Sequence, residues 1–368
     1  MKFPVITSAS LWNGLLFIAL LGGMFLYSLP AVFSFGKTQT DTWSLFVDGK
    51  LLRKFEQFYD KRFFLREPSV QAWADIRFML FGEATSGVVL GRDGWLFTNQ
   101  EYLVTRDLPA NLQQQVQAIV QVRDRLAAHG KKLVLLPVPM KLDIYAARAR
   151  VQPDLRAVAL YDRFVERLKA AGVDVTPVRS AFLAAREGQA LFLPNDTHWS
   201  PEGARLAAAT FAQGNPALVG TTAYRSQQVG SKPHRGDLMN YVQFDTGLAA
   251  TDFAPIDLPL FETLKAEQAV SDAALFDDEG SPLLLVGTSY SKIDDWNFVG
   301  FMKEYLHSDL VTLAQEARGP FQAMELLLQG PQLADPGLDT VIWEFPVRTV
   351  LAQNMVAARA RAEQPSHF

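Results

Sequence analysis

The sequence holds 368 residues, enough for one large domain or two ordinary ones, and 49% of them are hydrophobic, with 26 Phe and 7 Trp, which excludes global disorder. A net charge of -4 with a 20% charged fraction carries no basic stripe and argues against a nucleic-acid partner. Cysteine is absent, which removes thiol catalysis, disulfides and thiolate metal sites and suits an oxidising compartment.

After Lys2 the next charge is Lys37, and the stretch from Leu11 to Phe35 exceeds the roughly 20 apolar residues that cross a bilayer. It is also longer than the apolar core of a cleaved signal, about 7 to 15 residues. The small-x-small site at its end, Ser34-Phe35-Gly36, departs from Ala-x-Ala. An uncleaved anchor is therefore expected over a cleaved signal or a core helix. Basic residues flank both sides, Lys2 before the stretch and Lys37, Lys50, Arg53 and Lys54 after it, so charge does not settle orientation. A short tail followed by a large domain places that domain outside the cytoplasm.

Residues 38–86 predict an amphipathic helical stem, because apolar positions such as Leu51, Phe55 and Phe58 recur at three- and four-residue spacing. Packing on the domain is the plain expectation for that stem; a Phe- and Arg-rich face against lipid or a membrane partner is the alternative. Asp93-Gly94, between Val88–Leu90 and Trp95–Phe97, predicts a hairpin.

From Asn111 the pattern becomes helix and strand in alternation. A helical segment closes at Gly130, the run KKLVLLPVP follows, then a helix near Ala157–Ala170 and the short VDVTPV. Later come SPLLLVGTS, DLVTLA and TVIWEFP. Continuous apolar strands between helices predict an α/β fold with a mainly parallel sheet covered on both faces. The stretch from about Gly214 to Gly280 is less periodic, contains GDLMN and reads as an insertion or long connection beside the active site.

Five histidines limit the choice of a catalytic base: His129, His198, His234, His307 and His367. His198 lies in LPNDTHWSPEGARLAA, where Ser200-Pro201-Glu202 marks a helix start. Asp196 and His198 thus fall on the segment leading into that helix, and on an extended segment residues two apart share a side. A carboxylate so placed fixes the imidazole tautomer that a general base requires. The plain alternative is a turn-capping Asp196 and a packed His198. In PLLLVGTSYS a buried strand ends at Val286, Gly287 allows a sharp turn, and Ser289 sits where open α/β sheets place their sites. Ser291 is the rival nucleophile, and an ordinary strand-to-loop turn is the plain alternative.

GTSYS paired with the upstream DTHWS resembles the alginate O-acetyltransferase family of AlgJ and AlgX, whose folds are SGNH-hydrolase-like. That resemblance extends to GRDGWLF at 91–97, PVPMKLDIY at 137–145, GDL at 236–238 and WEFPVR at 343–348, covering roughly residues 85–350. It implies a three-layer α/β sandwich with a circularly permuted motif order, Asp-x-His before the serine. It implies Ser289 as nucleophile, His198 as general acid/base and Asp196 as its orienting partner. Lys141, Tyr145, Asp237, Tyr290 and Arg348 fall in or beside matched stretches, and Tyr290, Lys141 and Arg348 are the candidate substrate contacts. No metal and no diffusible cofactor is implied. The acceptor would be an exported polysaccharide, alginate first, and the acetyl source a multispanning membrane-bound O-acyltransferase.

The expected domains are a membrane anchor at 1–36, a helical stem at 37–86, the SGNH-like domain at 87–355 and a tail at 356–368. The sequence stops at residue 368, which leaves no room for a C-terminal carbohydrate-binding module and suits the AlgJ branch. An acetylesterase of the same fold and a non-catalytic polysaccharide-binding subunit are the competing functions. A metal site on Asp196, His198 and Glu202 is disfavoured, since zinc usually takes more imidazole or thiolate ligands.

Overall fold

The computed structural model describes residues 11–249, 253–266, 282–316 and 319–351. The chain divides into two compact units, Met1–Ile76 and Arg77–Phe368. The anticipated tail at 356–368 lies outside the described residues.

In the first unit, helix α1 (Leu11–Thr38) carries the apolar stretch and is long and apolar enough to cross a membrane. Short helices α2 (Thr42–Val47) and α3 (Leu51–Asp60) follow, and α4 (Arg66–Phe81) runs past the end of the unit. The spacing of Leu51, Phe55 and Phe58 has a physical use here. Phe55 and Phe58 meet Phe35 of α1 edge-on, each at 5.3 Å between ring centres.

The second unit opens with the hairpin expected around Asp93-Gly94. Strand β1 (Val88–Leu90) pairs antiparallel with β2 (Leu96–Thr98), and the turn takes positive φ at both Asp93 and Gly94. Helix α5 (Leu108–Ala128) ends before Gly130, whose φ is +72°, and feeds β3 (Lys132–Val138). A short helix α6 (Lys141–Ile144) caps that strand. The helix expected near Ala157–Ala170 is broken at Ala159 into α7 (Leu155–Val158) and α8 (Leu160–Ala170). Then come β4 (Asp174–Val175), α9 (Arg179–Ala185) and α10 (Pro201–Gly214). Ser200 caps α10 by accepting from the Gly203 N–H at 3.1 Å.

The stretch read as a less periodic connection carries a long antiparallel ribbon instead. Its strands are β5 (Tyr224–His234) and β6 (Ile256–Lys265), with a register shift between Gln228 and Gly230. β5 is mostly polar and exposed, and β6 is only partly buried, which hides this ribbon from a search for apolar runs. After it come β7 (Leu283–Gly287), α11 (Ser289–Lys292), α12 (Phe298–Leu306), β8 (Val311–Ala314), α13 (Pro320–Gln329) and β9 (Thr340–Pro346).

Five strands form one parallel sheet in the order β4-β3-β9-β7-β8. Strand parity divides its core in two. Leu133 and Leu135, Leu284 and Val286, and Val341 and Trp343 face one layer, where α5, α8 and α13 supply Ile119, Phe164 and Met324. Val134 and Leu136, Leu283 and Leu285, and Ile342 face the other, against Phe182, Ala204, Phe211 and Phe301 from α9, α10 and α12. Such a strand is apolar at nearly every position because both of its faces are covered. Each fully buried side chain of this size contributes about 1.5–3 kcal/mol, so Trp343→Ala, with its ring buried and its indole N–H donated to Pro320 O at 3.1 Å, would cost about 3–5 kcal/mol.

Candidate active site

Three neighbouring strands end at one edge and deliver the chemistry. β3 runs out into Lys141, β9 carries Glu344 and continues to Arg348, and β7 ends just before Ser289. This is the carboxyl edge of the sheet, where open α/β folds bind their ligands.

Asp196 and His198 reach that edge from the loop before α10. The loop is not extended. Phe192 and Trp199 form an antiparallel bridge, and Pro194 and Asn195 turn the chain between them. Asp196 Oδ1 accepts the backbone N–H of His198 at 2.9 Å and its ring Nδ1–H at 2.6 Å. The two side chains therefore meet through an Asx turn, in which aspartate accepts from the backbone two residues on, and not through strand alternation. With Nδ1 donating to the carboxylate, the network assigns Nε2 as acceptor for the Ser289 hydroxyl, 2.8 Å away. Folding thus brings Asp196, His198 and Ser289 into one chain of hydrogen bonds.

The serine turn is held by the adjacent strand. The Glu344 carboxylate accepts the Thr288 N–H at 2.9 Å, the Thr288 hydroxyl at 2.9 Å and the Ser291 hydroxyl at 2.6 Å. Burial pushes the Glu344 carboxyl up, against the opposing pull of these donors. Gly287 serves this arrangement by leaving space: an added Cβ would lie 2.4 Å from Ser291 Oγ and 2.8 Å from Glu344 Oε2, and its φ is not positive. Ser291, the rival nucleophile, is 3% exposed with its hydroxyl committed to Glu344. Ser289 is half-buried and faces the imidazole.

A second histidine, which sequence reasoning passed over, completes the carboxylate. His234, at the end of β5, directs Nε2 at Asp196 Oδ2 from 2.8 Å, and the Asp237 N–H reaches the same oxygen at 3.0 Å. Burial alone would raise the Asp196 carboxyl, but the hydrogen bonds from His198 and His234 outweigh it and hold the group below the ordinary carboxylate range. Trp296 stacks on the His198 ring at 5.4 Å and meets His234 edge-on at 5.5 Å, so one indole fixes both imidazoles. Asp237 accepts the Thr197 N–H at 2.8 Å and its hydroxyl at 2.6 Å; its carboxyl is raised by burial and by the Asp196 charge. The GDL stretch requires its glycine, since a Cβ on Gly236 would lie 2.0 Å from Asn195 O.

Two of the three candidate substrate contacts point inward. Lys141 is 1% exposed, and its ammonium donates to the carbonyls of Leu96, Leu193, Pro194 and Asp196 at 2.6, 2.7, 2.8 and 2.9 Å. It ties the hairpin and the Asp196 loop together and has no proton left for a ligand. Tyr290 is also 1% exposed; its hydroxyl donates to Thr197 O at 2.6 Å and accepts from Arg348 at 2.5 Å. Arg348 alone of the three is half-buried, and its guanidinium reaches inward to donate to the Tyr290 hydroxyl. Tyr145 is structural too, with its hydroxyl donating to Gln189 O at 3.1 Å and accepting the Leu191 N–H at 3.0 Å.

Asp196, His198 and Asp237 place donor atoms within 4.8 Å of one another, which prompts a metal reading. The donors do not fit it. Nδ1 of His198 carries a proton given to Asp196, both Asp196 oxygens accept two N–H groups each, and Asp237 is held by Thr197. One imidazole and no thiolate is also a poor set for zinc.

Comparison with known proteins agrees with this architecture. A family model described as "SGNH hydrolase-like domain, acetyltransferase AlgX" matches residues 88–347. The chain is 34% identical over 345 residues to a probable alginate O-acetylase AlgJ from Pseudomonas putida, covering 92% of this chain and 89% of that protein. Among solved structures, the O-acetyltransferase domain of Pseudomonas putida AlgJ superposes with a TM-score of 0.66 at 31% identity, over 74% of this chain and 95% of that one. AlgX from Pseudomonas aeruginosa shares the fold, with a TM-score of 0.56 at 21% identity over 72% and 66% of the two chains. The chain therefore belongs to the AlgX acetyltransferase family of SGNH hydrolase-like domains, and within it stands nearer AlgJ than AlgX.

Proposed function

We propose that this chain transfers acetyl groups to hydroxyls of an exported polysaccharide through an acetyl ester on Ser289. Alginate is the acceptor suggested by the names of its relatives. The observation that carries the reading is the His198 ring, bonded through one nitrogen to Asp196 and through the other to Ser289. Ser289 Oγ attacks the acetyl carbonyl of a donor ester while its proton passes to His198 Nε2. The tetrahedral intermediate collapses, the donor's alkoxide leaves, and Nε2 returns that proton to it. A polysaccharide hydroxyl then attacks the acetyl-serine and gives its proton to Nε2, which hands it to Ser289 Oγ as the ester leaves. Asp196 remains ionised throughout and stabilises the imidazolium of each step. His234 holds the far oxygen of that carboxylate and so fixes its angle to His198. Arg348 is the remaining candidate contact for an acidic polymer.

In this reading α1 anchors the chain, residues 37–86 form the stem, and residues 87–355 act in the periplasm. The acetyl group is supplied from the cytoplasm by a multispanning membrane-bound O-acyltransferase. The test is incubation of the purified protein with a chromogenic acetyl ester and alginate oligosaccharides. Acetylated oligosaccharide should accumulate, and a peptide bearing acetyl-Ser289 should be found by mass spectrometry after rapid quenching. Transfer by Ser289→Ala at the wild-type rate would overturn the nucleophile assignment. Release of acetate with no acetylated sugar would make the enzyme an esterase.

A further inference from the structure

The first unit exposes an amount of apolar surface that its own packing does not explain. Trp43 is 77% exposed, Phe46 62%, Val47 68%, Leu52 67% and Phe64 61%. Trp43 and Phe46 share one face of α2 and stack at 5.8 Å. Among soluble proteins a cluster of this size marks an interaction site. The structure also indicates what covers it.

Helix α1 has 28 residues and so rises about 42 Å, whereas the hydrocarbon core of a bilayer is about 30 Å thick. With the helix held along the membrane normal, about 12 Å of it stands in the interface or beyond it. Among the described residues, the side-chain partners of α1 begin at Tyr27 and lie in its C-terminal half. Phe35 receives Phe55 and Phe58, Ser28 Oγ lies 2.8 Å from the Tyr59 hydroxyl, and Arg62 donates to Ser34 Oγ at 2.9 Å. The Tyr27 hydroxyl accepts the Phe64 N–H at 3.1 Å, and its ring meets Phe63 and Phe64 edge-on. The hydroxyls of α1 lie here as well, at Tyr27, Ser28, Ser34 and Thr38, while Leu11–Leu26 offers only Asn13 and the Trp12 indole N–H as polar side-chain groups. The depth at which α3 packs is thus the depth at which a span of this length meets the headgroups.

The chemistry of α2 and α3 matches that level. Aromatic rings with a polar tip gather at membrane–water boundaries. Lys37, Lys50, Lys54, Lys61 and Arg62 stand among them, and the Arg62 guanidinium lies 4.0 Å above the Phe58 ring. Asp41, Asp48, Glu56 and Asp60 are interleaved with these cations, so the surface fits the boundary itself more than a particular anionic lipid. A groove of about 480 Å³ opens at the same level, lined by Tyr27, Pro30, Ala31, Ser34, Tyr59 and Arg62.

We propose that α2, α3 and the Phe63–Phe64 turn form an interfacial collar, seated in the headgroup–acyl boundary of a lipid bilayer at the C-terminal end of α1. The inference rests on α1 being a membrane span. The collar fixes how far the chain following α1 can move from the bilayer surface, because its rings resist both withdrawal into water and burial in hydrocarbon.

The sequence has no cysteine, so single-cysteine variants of the full chain can each carry one environment-sensitive fluorophore. Phe25→Cys reports the span, Trp43→Cys, Phe46→Cys and Phe64→Cys report the collar, and Gln57→Cys reports the face of α3 away from Phe55 and Phe58. The labelled proteins are reconstituted in phosphatidylcholine–phosphatidylglycerol liposomes without any partner protein. Lipids with a spin label near the headgroup should quench positions 43, 46 and 64 several-fold more than lipids labelled at the bilayer centre. Position 25 should show the reverse, and position 57 should respond to aqueous iodide. If position 25 is quenched at the centre while 43, 46 and 64 respond only to iodide, the collar is refuted and the anchor stands. If position 25 is not quenched by any lipid, the anchor reading itself fails.

Discussion

Lys141→Met exchanges the buried ammonium for an apolar side chain of nearly the same length. Four carbonyl oxygens, of Leu96, Leu193, Pro194 and Asp196, then surround a methyl group in place of their donor. Glu101, 1% exposed and accepting the N–H groups of Lys141 and Leu142, also loses a cation whose charge favours its ionised form. Burial pushes the Lys141 amine down to about 7, while Glu101, then Asp196 and Asp237, pull it back up. Each orphaned buried acceptor costs about 1–3 kcal/mol, moderated where water enters. Removing one member of a buried charge pair costs about 3–5 kcal/mol, and we take that as the net effect. At the roughly 2–4 °C per kcal/mol of a domain this large, Tm should fall by on the order of 10 °C.

The assay pairs thermal unfolding by circular dichroism with transfer kinetics at a temperature where the variant is folded. A structural lysine predicts a lowered Tm and reduced kcat, since the Asp196 loop loses its tether, with KM little changed. A lysine that touches the polymer predicts the opposite: wild-type Tm and a KM raised several-fold. The second pattern would refute the reasoning. Lys141→Arg is no rescue, because a planar fork cannot occupy a site built for a compact ammonium.

Ser289→Ala should lower transfer by about 10³-fold or more without lowering Tm, His198→Ala should lower transfer as far and also lower Tm because Asp196 Oδ1 loses its ring donor, and Ser291→Ala should keep its activity and lose about 1 kcal/mol of stability in denaturant titration. His234→Ala should reduce kcat by roughly tenfold at unchanged KM, the worth of one hydrogen bond to a charged group, and His234→Gln should recover most of it through its amide N–H. The Asp196 carboxyl lies lower in the folded protein than its unfolded value of about 3.9, so its stabilisation is complete above that pH and is lost as pH falls below it. Acid titration of stability should therefore show a shallower fall below about pH 4 in Asp196→Asn than in the wild type. Glu344 and Glu101, raised by burial, act with the opposite sign: their contribution is present at low pH and is lost as pH rises.

What the sequence discloses depends on how local the physics is. KKLVLLPVP, SPLLLVGTS and TVIWEFP read as strands because both faces of each are covered, and a run that is apolar at nearly every position needs no knowledge of its partners. They lie side by side as β3, β7 and β9. The cap at Ser200 and the turn at Asp93-Gly94 are equally local. Asp196 and His198 are nominated by spacing, yet the expected reason differs from the observed one, since an Asx turn gives the same two-residue offset as an extended strand. Spacing alone does not distinguish the two. The silent positions are those whose partners lie far along the chain. Lys141 follows a strand end, the usual place for a ligand contact, and nothing near it in sequence signals that carbonyls up to 55 residues away enclose its amine. Glu344 sits in an otherwise apolar run, and that irregularity was the available signal: a carboxylate inside a central strand must find donors or stay out of the core. His234 has no such mark. It is legible only once the ribbon is known to return its last residue to Asp196, 38 positions earlier. Ser289, His198 and Asp196 are therefore found by local pattern, while the groups that hold them rigid are found only by tracing where each buried polar atom goes.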